Sequence, residues 1–289
     1  MPPELIAEVL VQGILTGLVY GLMALGLSVI FGVVRVVNFA HGEFIVVAMY
    51  AAWLLFSRLG LDPLLTALPI AAVFFVLGYI LQRALIAPFM HRPQHQQFIY
   101  LVGMAIVLVN ALLLLFGPDA RHAAVPYAFD SWYIGPILVD KVRVYAAGGA
   151  LVVCAALFAF FRYTRTGTAI RACADNLTGA EVVGLDVNRL YALTFGIGLA
   201  CAGAAGALMV VLTDVTPNLA PSYTLLAFTI VIVGGLGSMA GALAGGLVIG
   251  VAEALASLAF SPSLKSMVSF GLLVLILALR PQGLMGRRA

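Results

Sequence analysis

Charge is what this chain of 289 residues has least of: Asp, Glu, Lys and Arg make up 9% of it, while 63% is hydrophobic. An average soluble domain carries about 25% charged residues, so no water-soluble surface can be built from these. Alternating segments of about ten residues are also missing, which argues against an outer-membrane barrel. Open sheets are excluded as spanning structures, because hydrocarbon offers no water to a free strand edge. Cysteine is scarce. Cys154, Cys173 and Cys201 lie far apart and form no CxxC pair, so they imply neither a disulfide framework nor a metal. The start, Met1-Pro2-Pro3-Glu4, lacks the basic residues of a secretory signal, and the first apolar run is read as a retained helix. Net charge is +3 with arginines scattered in short loops, an arrangement that argues against nucleic acid as a partner.

What is present in quantity is long apolar sequence. A spanning helix needs about 20 mostly apolar residues, and such runs fall at about 9–34, 39–56, 64–87, 98–116, 144–161 and 190–213. After Tyr223 comes a run of about 35 residues, too long for one helix at about 1.5 Å per residue. Gly234, Gly235, Gly237 and Gly241 supply the break, leaving a short piece at 224–233 and a longer one at 242–260. The last run, 267–279, stops before Arg280-Pro281. The expectation is an all-α, polytopic transmembrane bundle of about nine crossings, within eight to ten segments that include broken or short helices. The whole of 1–289 is read as one transmembrane domain.

Lys and Arg in short loops set the orientation. With 162–189 on the cytoplasmic side, Arg35, Arg83, His91, Arg92, Arg280, Arg287 and Arg288 also fall inside, and the acidic N-terminus falls outside. The loop 117–143 then lies outside, its Asp119, Asp130 and Asp140 balancing Arg121, Lys141 and Arg143, while Arg58 and Lys265 fall on the wrong side. Gly13, Gly17 and Gly21 repeat at every fourth residue, as do Gly237, Gly241 and Gly245. That spacing lets helix backbones approach closely. It reflects either two related halves or simply the abundance of glycine in membrane helices.

Three interruptions of the apolar pattern carry the chemistry. Asn38-Phe39-Ala40-His41-Gly42-Glu43 places an amide, an imidazole and a carboxylate between two apolar runs. Either Asn38 caps the second helix with Glu43 in its first turns, or Asn38, His41 and Glu43 line or gate a solute path. A metal site is the weaker reading, since no second His or Cys cluster lies nearby in sequence. The stretch 162–189 is the longest polar one between spans on the inner face and holds no membrane-length run; a short helix from Thr168, with Arg171 and Asp175 four apart, leads through Glu181 to a turn at Gly184. It is either a solvated loop helix or the part of a permease that docks on a motor. Gly234-Gly235-Leu236-Gly237-Ser238-Met239-Ala240-Gly241 has no GxxxxGK[ST] and no lysine, so it is no phosphate loop. Ser238 has no His downstream of His122 to act as its base. Its glycines fit a discontinuous helix beside a cavity or a close packing contact. Glu253 reads as an interior, hydrogen-bonded carboxylate.

Together and in this order, these features resemble the LivH-type permease subunits of bacterial branched-chain amino-acid ABC importers. The matching residues are NFAHGE at 38–43, TRTGTAIRACADNLTGAEVVGLDVNRLYALTFGIG at 164–198, GGLGSMAGALAGGLVIGVAEA at 234–254 and RPQGLMG at 280–286. The resemblance implies an inner-membrane importer in which a periplasmic solute-binding protein delivers solute to two permease subunits, this chain and a LivM-type partner, surrounded by membrane lipid. Two cytoplasmic ATPases would drive it, so ATP and magnesium would bind those partners and this chain would hold no cofactor. It also implies a non-enzymatic subunit, and the Lys and Arg count above then puts its N-terminus in the periplasm and its C-terminus in the cytoplasm. The segment 171–184 would correspond to the coupling segment, although Ala180-Glu181-Val182-Val183-Gly184 keeps the glycine of the EAA pattern without its consecutive alanines. On this reading Asn38, His41, Glu43, Gly235, Gly237 and Ser238 would shape the path or gate, and Arg171, Asp175, Glu181 and Gly184 would couple to the ATPases. Related permeases carry urea, short amides or aromatic compounds, so the motifs name the transport family more firmly than the solute. The rival class is a stand-alone ion-coupled secondary transporter, which the coupling-type loop disfavours.

Overall fold

The computed structural model describes residues 3–90, 92–135, 137–259 and 265–286. His91, Phe260, Arg287 and Arg288, used above for orientation and boundaries, lie outside these residues. The chain folds as helices α1 (Pro3–Val34), α2 (His41–Leu59), α3 (Pro63–Leu81), α4 (Gln94–Phe116), α5 (Lys141–Tyr163), α6 (Arg165–Asp175), α7 (Leu177–Val182), α8 (Val187–Met209), α9 (Ala220–Gly234), α10 (Met239–Ala259) and α11 (Lys265–Leu279). Among the described residues eight helices are long and apolar enough to cross a membrane, and 267–279 is a shorter apolar helix. These are the segments expected from the sequence, the short last one included.

Helix ends follow local signals. Gly60 closes α2 in a left-handed conformation (φ 66°), its N–H donating to Phe56 O at 2.9 Å. Two residues on, the Asp62 side chain accepts from Leu64 N at 2.9 Å and Pro63 sits at the first helical position of α3. That pair of signals makes the tight α2–α3 hairpin. In the long loop after α4, strands β1 (Ser131–Ile134) and β2 (Ile137–Asp140) form an antiparallel hairpin, Ser131 opposite Asp140. The sequence reading gave this loop only charges. Its β-prone SWYI and ILVD runs around Gly135 (φ 64°) carry the hairpin signal. Four of the six balancing charges pair, Lys141 Nζ with Asp130 at 2.8 Å and Arg143 Nε with Asp140 at 3.0 Å, whereas Arg121 donates to Phe116 O at 3.1 Å.

α8 and α1 form the buried centre. Small residues on α8 let its neighbours close in: a Cβ on Gly203 would stand 2.9 Å from Phe74 Cβ of α3, and one on Gly206 2.7 Å from Ala48 Cβ of α2. The stripe Gly13, Gly17 and Gly21 of α1 faces α10, where a Cβ on Gly17 would stand 2.8 Å from the Gly246 carbonyl oxygen. Contact at that range is the backbone-to-backbone packing that drives membrane helices together. The opposing residues on α10 are Gly246 and Gly250, whereas Gly241 and Gly245 back onto α9 at Gly234 and Ile230. The two stripes therefore serve different interfaces.

These contacts also fix directions. Gly13 meets Ala254 and Gly32 meets Gly237, so α1 and α10 are antiparallel. The α1–α2 connection, the α9–α10 turn, α6 and the tail after α11 consequently gather at one end of the bundle, called the α6 end below. The break after Gly234 is thus a turn between two antiparallel helices at that end, rather than an interruption inside a single helix.

Candidate functional site

At the end of α1 the chain turns at Arg35, the one non-glycine residue with left-handed backbone (φ 56°) among the described residues. Asn38 Oδ1 then accepts from Ala40 N at 3.1 Å, and its carbonyl accepts from His41 N at 3.3 Å. Asn38 therefore builds the turn that precedes α2; the helix-cap position is Ala40, which offers no side-chain acceptor. His41 lies within hydrogen-bond range of α1, its Nε2 3.0 Å from Met23 O. Since a carbonyl only accepts, Nε2 carries the hydrogen, and Nδ1 has no hydrogen-bond partner. On the next turn Thr224 Oγ1 of α9 donates to Glu43 Oε2 at 2.9 Å and accepts from Gly42 N at 2.9 Å. Gly42 has no room for a side chain, because a Cβ there would stand 2.5 Å from Thr224 Oγ1. Asn38 and His41 are fully buried and Glu43 is 3% exposed. This segment staples α2 to α1 and α9.

The α9–α10 turn is built from Gly235 (φ 107°) and Gly237 (φ 79°), both in backbone that only glycine adopts readily. Ser238 Oγ accepts from Gly241 N at 3.0 Å and so caps α10, and Ser238 O accepts from Ser28 Oγ of α1 at 3.2 Å. The tail after α11 satisfies the last carbonyls of α9, with Leu284 N donating to Val233 O at 2.8 Å and Met285 N to Gly234 O at 2.9 Å. Gly283 and Gly286 lie against Gly235. The tail's role as a brace for the turn was missed from sequence, where RPQGLMG entered only as a likeness. The two glycines three apart beyond Arg280-Pro281 were the available signal.

Between α5 and α8 the polar stretch folds as two short helices where one was expected. Thr164 caps α6, its Oγ1 accepting from Gly167 N at 3.0 Å, so the helix starts ahead of Thr168. Asn176 caps α7, its Oδ1 accepting from Gly179 N at 2.9 Å. Gly184 makes the expected turn (φ 81°), and Asp186 caps α8 by accepting from Arg189 N at 3.1 Å. Ile170, Cys173 and Ala180 face inward, while Leu177, Val182 and Val183 are exposed. Burial, with the Glu181 carboxylate adding to it, pushes the Cys173 thiol up from its ordinary range.

A cavity of about 970 Å³ opens at the α6 end. Phe31 and Gly32 line it from α1, Arg35 and Phe39 from the connection, and Gln97, Phe98 and Leu101 from α4. Arg171, Ala174 and Asp175 of α6, with Gly237 and Ser238 of the turn, complete the wall alongside Met239 and Met285. The structure thus brings four of the sequence-derived site residues, Gly237, Ser238, Arg171 and Asp175, to one chamber. Asn38, His41 and Glu43 are packed behind its wall, Gly235 sits under the tail, and Glu181 and Gly184 lie further out around α7. Glu253 is half-buried elsewhere, near Tyr20, and accepts from Ser269 Oγ at 2.6 Å, in keeping with a hydrogen-bonded interior carboxylate.

At the opposite end, Tyr127 Oη lies 2.7 Å from both oxygens of Asp62, tying the long loop to the α2–α3 hairpin. Burial, then the Asp62 carboxylate, raise the Tyr127 phenol above its ordinary range. Arg121 pairs through its backbone with Val215 and stacks 5.4 Å from the Trp53 ring centroid.

Residues 9–277 match the family described as branched-chain amino acid transport system, permease component. The chain is 33% identical to the high-affinity branched-chain amino acid transport permease BraD of Pseudomonas aeruginosa, over 96% of this chain and 95% of the relative. It is equally 33% identical to LivH of Escherichia coli, over 96% and 94%. The probable permease LivH of Methanocaldococcus jannaschii is 26% identical over 81% of this chain and 76% of its own length. No solved structure matches the chain.

Proposed function

The chain belongs to the branched-chain amino acid transport permease family, and on that premise we propose that it is one permease half of an ATP-driven importer of branched-chain or other apolar amino acids. The carrying observation is the match over 9–277, which takes in every described helix but the ends of α1 and α11. The subunit itself is a multi-pass, non-enzymatic transport component.

The working complex would comprise this chain, a LivM-type second permease, two ATPases and a periplasmic solute-binding protein in the bacterial inner membrane. Its α6 end would face the cytoplasm and its N-terminus the periplasm. ATP and magnesium would be held by the ATPases. The reading gives 162–189 the coupling role: Leu177, Val182 and Val183 present exposed apolar contacts beyond the spans, and Gly184 permits the turn back into α8. Solute would leave through the chamber between the α1–α2 connection and the α9–α10 turn. Asn38, His41 and Glu43 would act behind that wall by holding α2 to α1 and α9, with Gly235, Gly237 and Ser238 shaping the turn that must yield. Ser28 of α1 ties to the α9–α10 turn through Ser238 O, and that turn shares the chamber with Phe39 of the α1–α2 connection, which supports a path between them.

The test is uptake in proteoliposomes holding all four membrane components, the binding protein outside and ATP inside. Leucine accumulation that stops without ATP is expected. Uptake driven by a pH gradient in vesicles lacking the ATPases would instead establish an ion-coupled carrier and overturn the reading.

A further inference from the structure

α6 faces two ways. Arg171, Ala174 and Asp175 form part of the chamber wall, and one residue later the chain enters α7, which carries the exposed Leu177, Val182 and Val183. The joint is short and tied: Asn176 N donates to Ala172 O at 3.0 Å to end α6, and its Oδ1 accepts from Gly179 N at 2.9 Å to cap α7. Whatever restrains the chamber side of α6 therefore restrains α7.

The chamber's chemistry is that of a free amino acid. Arg35 and Arg171 offer guanidinium groups to a carboxylate. Asp175 adds negative charge on the same wall, one helical turn from Arg171. Phe39, Phe98 and Phe161 supply an apolar floor for a side chain. A cavity of about 970 Å³ is roomy for one amino acid, and Arg35, Arg171 and Asp175 are exposed. Partly hydrated charges bind weakly, as a site sampling an abundant cytoplasmic product must.

We propose that this chamber is a product-sensing site: a free apolar α-amino acid enters it from the α6 side, docks its carboxylate on Arg171 and Arg35, and by holding α6–α7 slows the ATPases. This rests on the permease reading above and adds regulation to it.

The experiment uses the complete membrane complex in nanodiscs without binding protein, titrated with leucine, 4-methylpentanoate and isopentylamine. Radiolabelled leucine binding and ATPase rate are both read. Saturable leucine binding in the millimolar range is expected, with the ATPase rate falling at the same concentrations. Isopentylamine, which lacks the carboxylate, should do neither. Arg171→Gln should raise the half-saturating leucine concentration about tenfold, the loss of about one charge-assisted hydrogen bond, and Arg171→Lys by less. Arg35→Asn, which keeps a residue tolerant of left-handed backbone, gives a second reading should Arg171→Gln not assemble. No saturable leucine binding, or an unmoved half-point in the variants, overturns the sensing site. Leucine uptake by the full system separates the two claims: uptake without leucine-dependent slowing removes only the sensor, whereas absent uptake removes the solute assignment itself.

Discussion

Thr224 is the residue on which the most buried polar chemistry turns. Its hydroxyl satisfies both the Glu43 carboxylate and the Gly42 N–H, and a buried polar group left without its partner costs about 1–3 kcal/mol. Thr224→Val, which keeps shape and removes the hydroxyl, should destabilise the purified subunit by about 2–6 kcal/mol for the two orphaned groups, while Thr224→Ser should recover most of it; thermal unfolding checks both. Tyr127 gives a pH test at the other end. Its phenol is raised in the folded chain, so the contribution of its bond to Asp62 is fully present below the unfolded value of about 10 and is lost as pH rises above it. Tyr127→Phe should therefore lose about 1 kcal/mol at neutral pH, and the gap from wild type should shrink above about pH 10, as read by denaturant unfolding at a series of pH values. Sequence alone singled out Asn38, His41 and Glu43 because polar groups stand out in apolar surroundings. It could not point to Thr224, an ordinary threonine 181 residues away from Glu43.

Between whole elements the governing contact is α1 against α10. Gly17→Leu would drive a side chain into the Gly246 backbone. Overpacking on this scale, with backbone as the obstacle, should cost more than about 3 kcal/mol and show as loss of folded subunit in detergent. Gly103→Leu on α4 has open space at the Cβ and should leave yield and folding unchanged, which separates a packing effect from glycine content as such. Gly184 tests the coupling role proposed for 162–189. It has space for a side chain but a left-handed backbone (φ 81°), so Gly184→Val adds strain of about 1–3 kcal/mol at one turn. Insertion should survive, and ATP hydrolysis should continue with uptake reduced several-fold; uptake at the wild-type rate would exclude coupling through this turn. The short helices here were half legible. Gly184 announced its turn, yet Asn176 as the cap that divides α6 from α7 passed unread, because Asn occurs in loops as readily as at caps.

For the molecule as a whole, orientation is the expectation to be measured. Cys154, Cys173 and Cys201 are all buried, so Thr178→Cys on exposed α7 should be the principal site of a membrane-impermeant maleimide. Labelling should occur from the cytoplasmic side only, and labelling of intact cells from outside would invert the topology. The sequence by itself determined that the chain is an all-helical membrane bundle, roughly how many segments it has, and where the apolar runs break, because apolar length and glycine clusters are read along the chain. It did not determine which side of each helix is inside. A soluble helix shows its buried face as an apolar stripe, but a helix in lipid is apolar all round, so α3 announces no inner face in its residues and α1 marks one only by its glycines, without naming what packs there. Only the tertiary structure decided that Gly13, Gly17 and Gly21 meet Gly246 and Gly250, that Asn38, His41 and Glu43 turn behind the chamber wall, and that Arg171 and Asp175 come round to line it. The physical reason is that inside a membrane neighbours are chosen by close packing and hydrogen bonds between distant segments; a glycine stripe marks a face for close packing, but nothing in it names the partner.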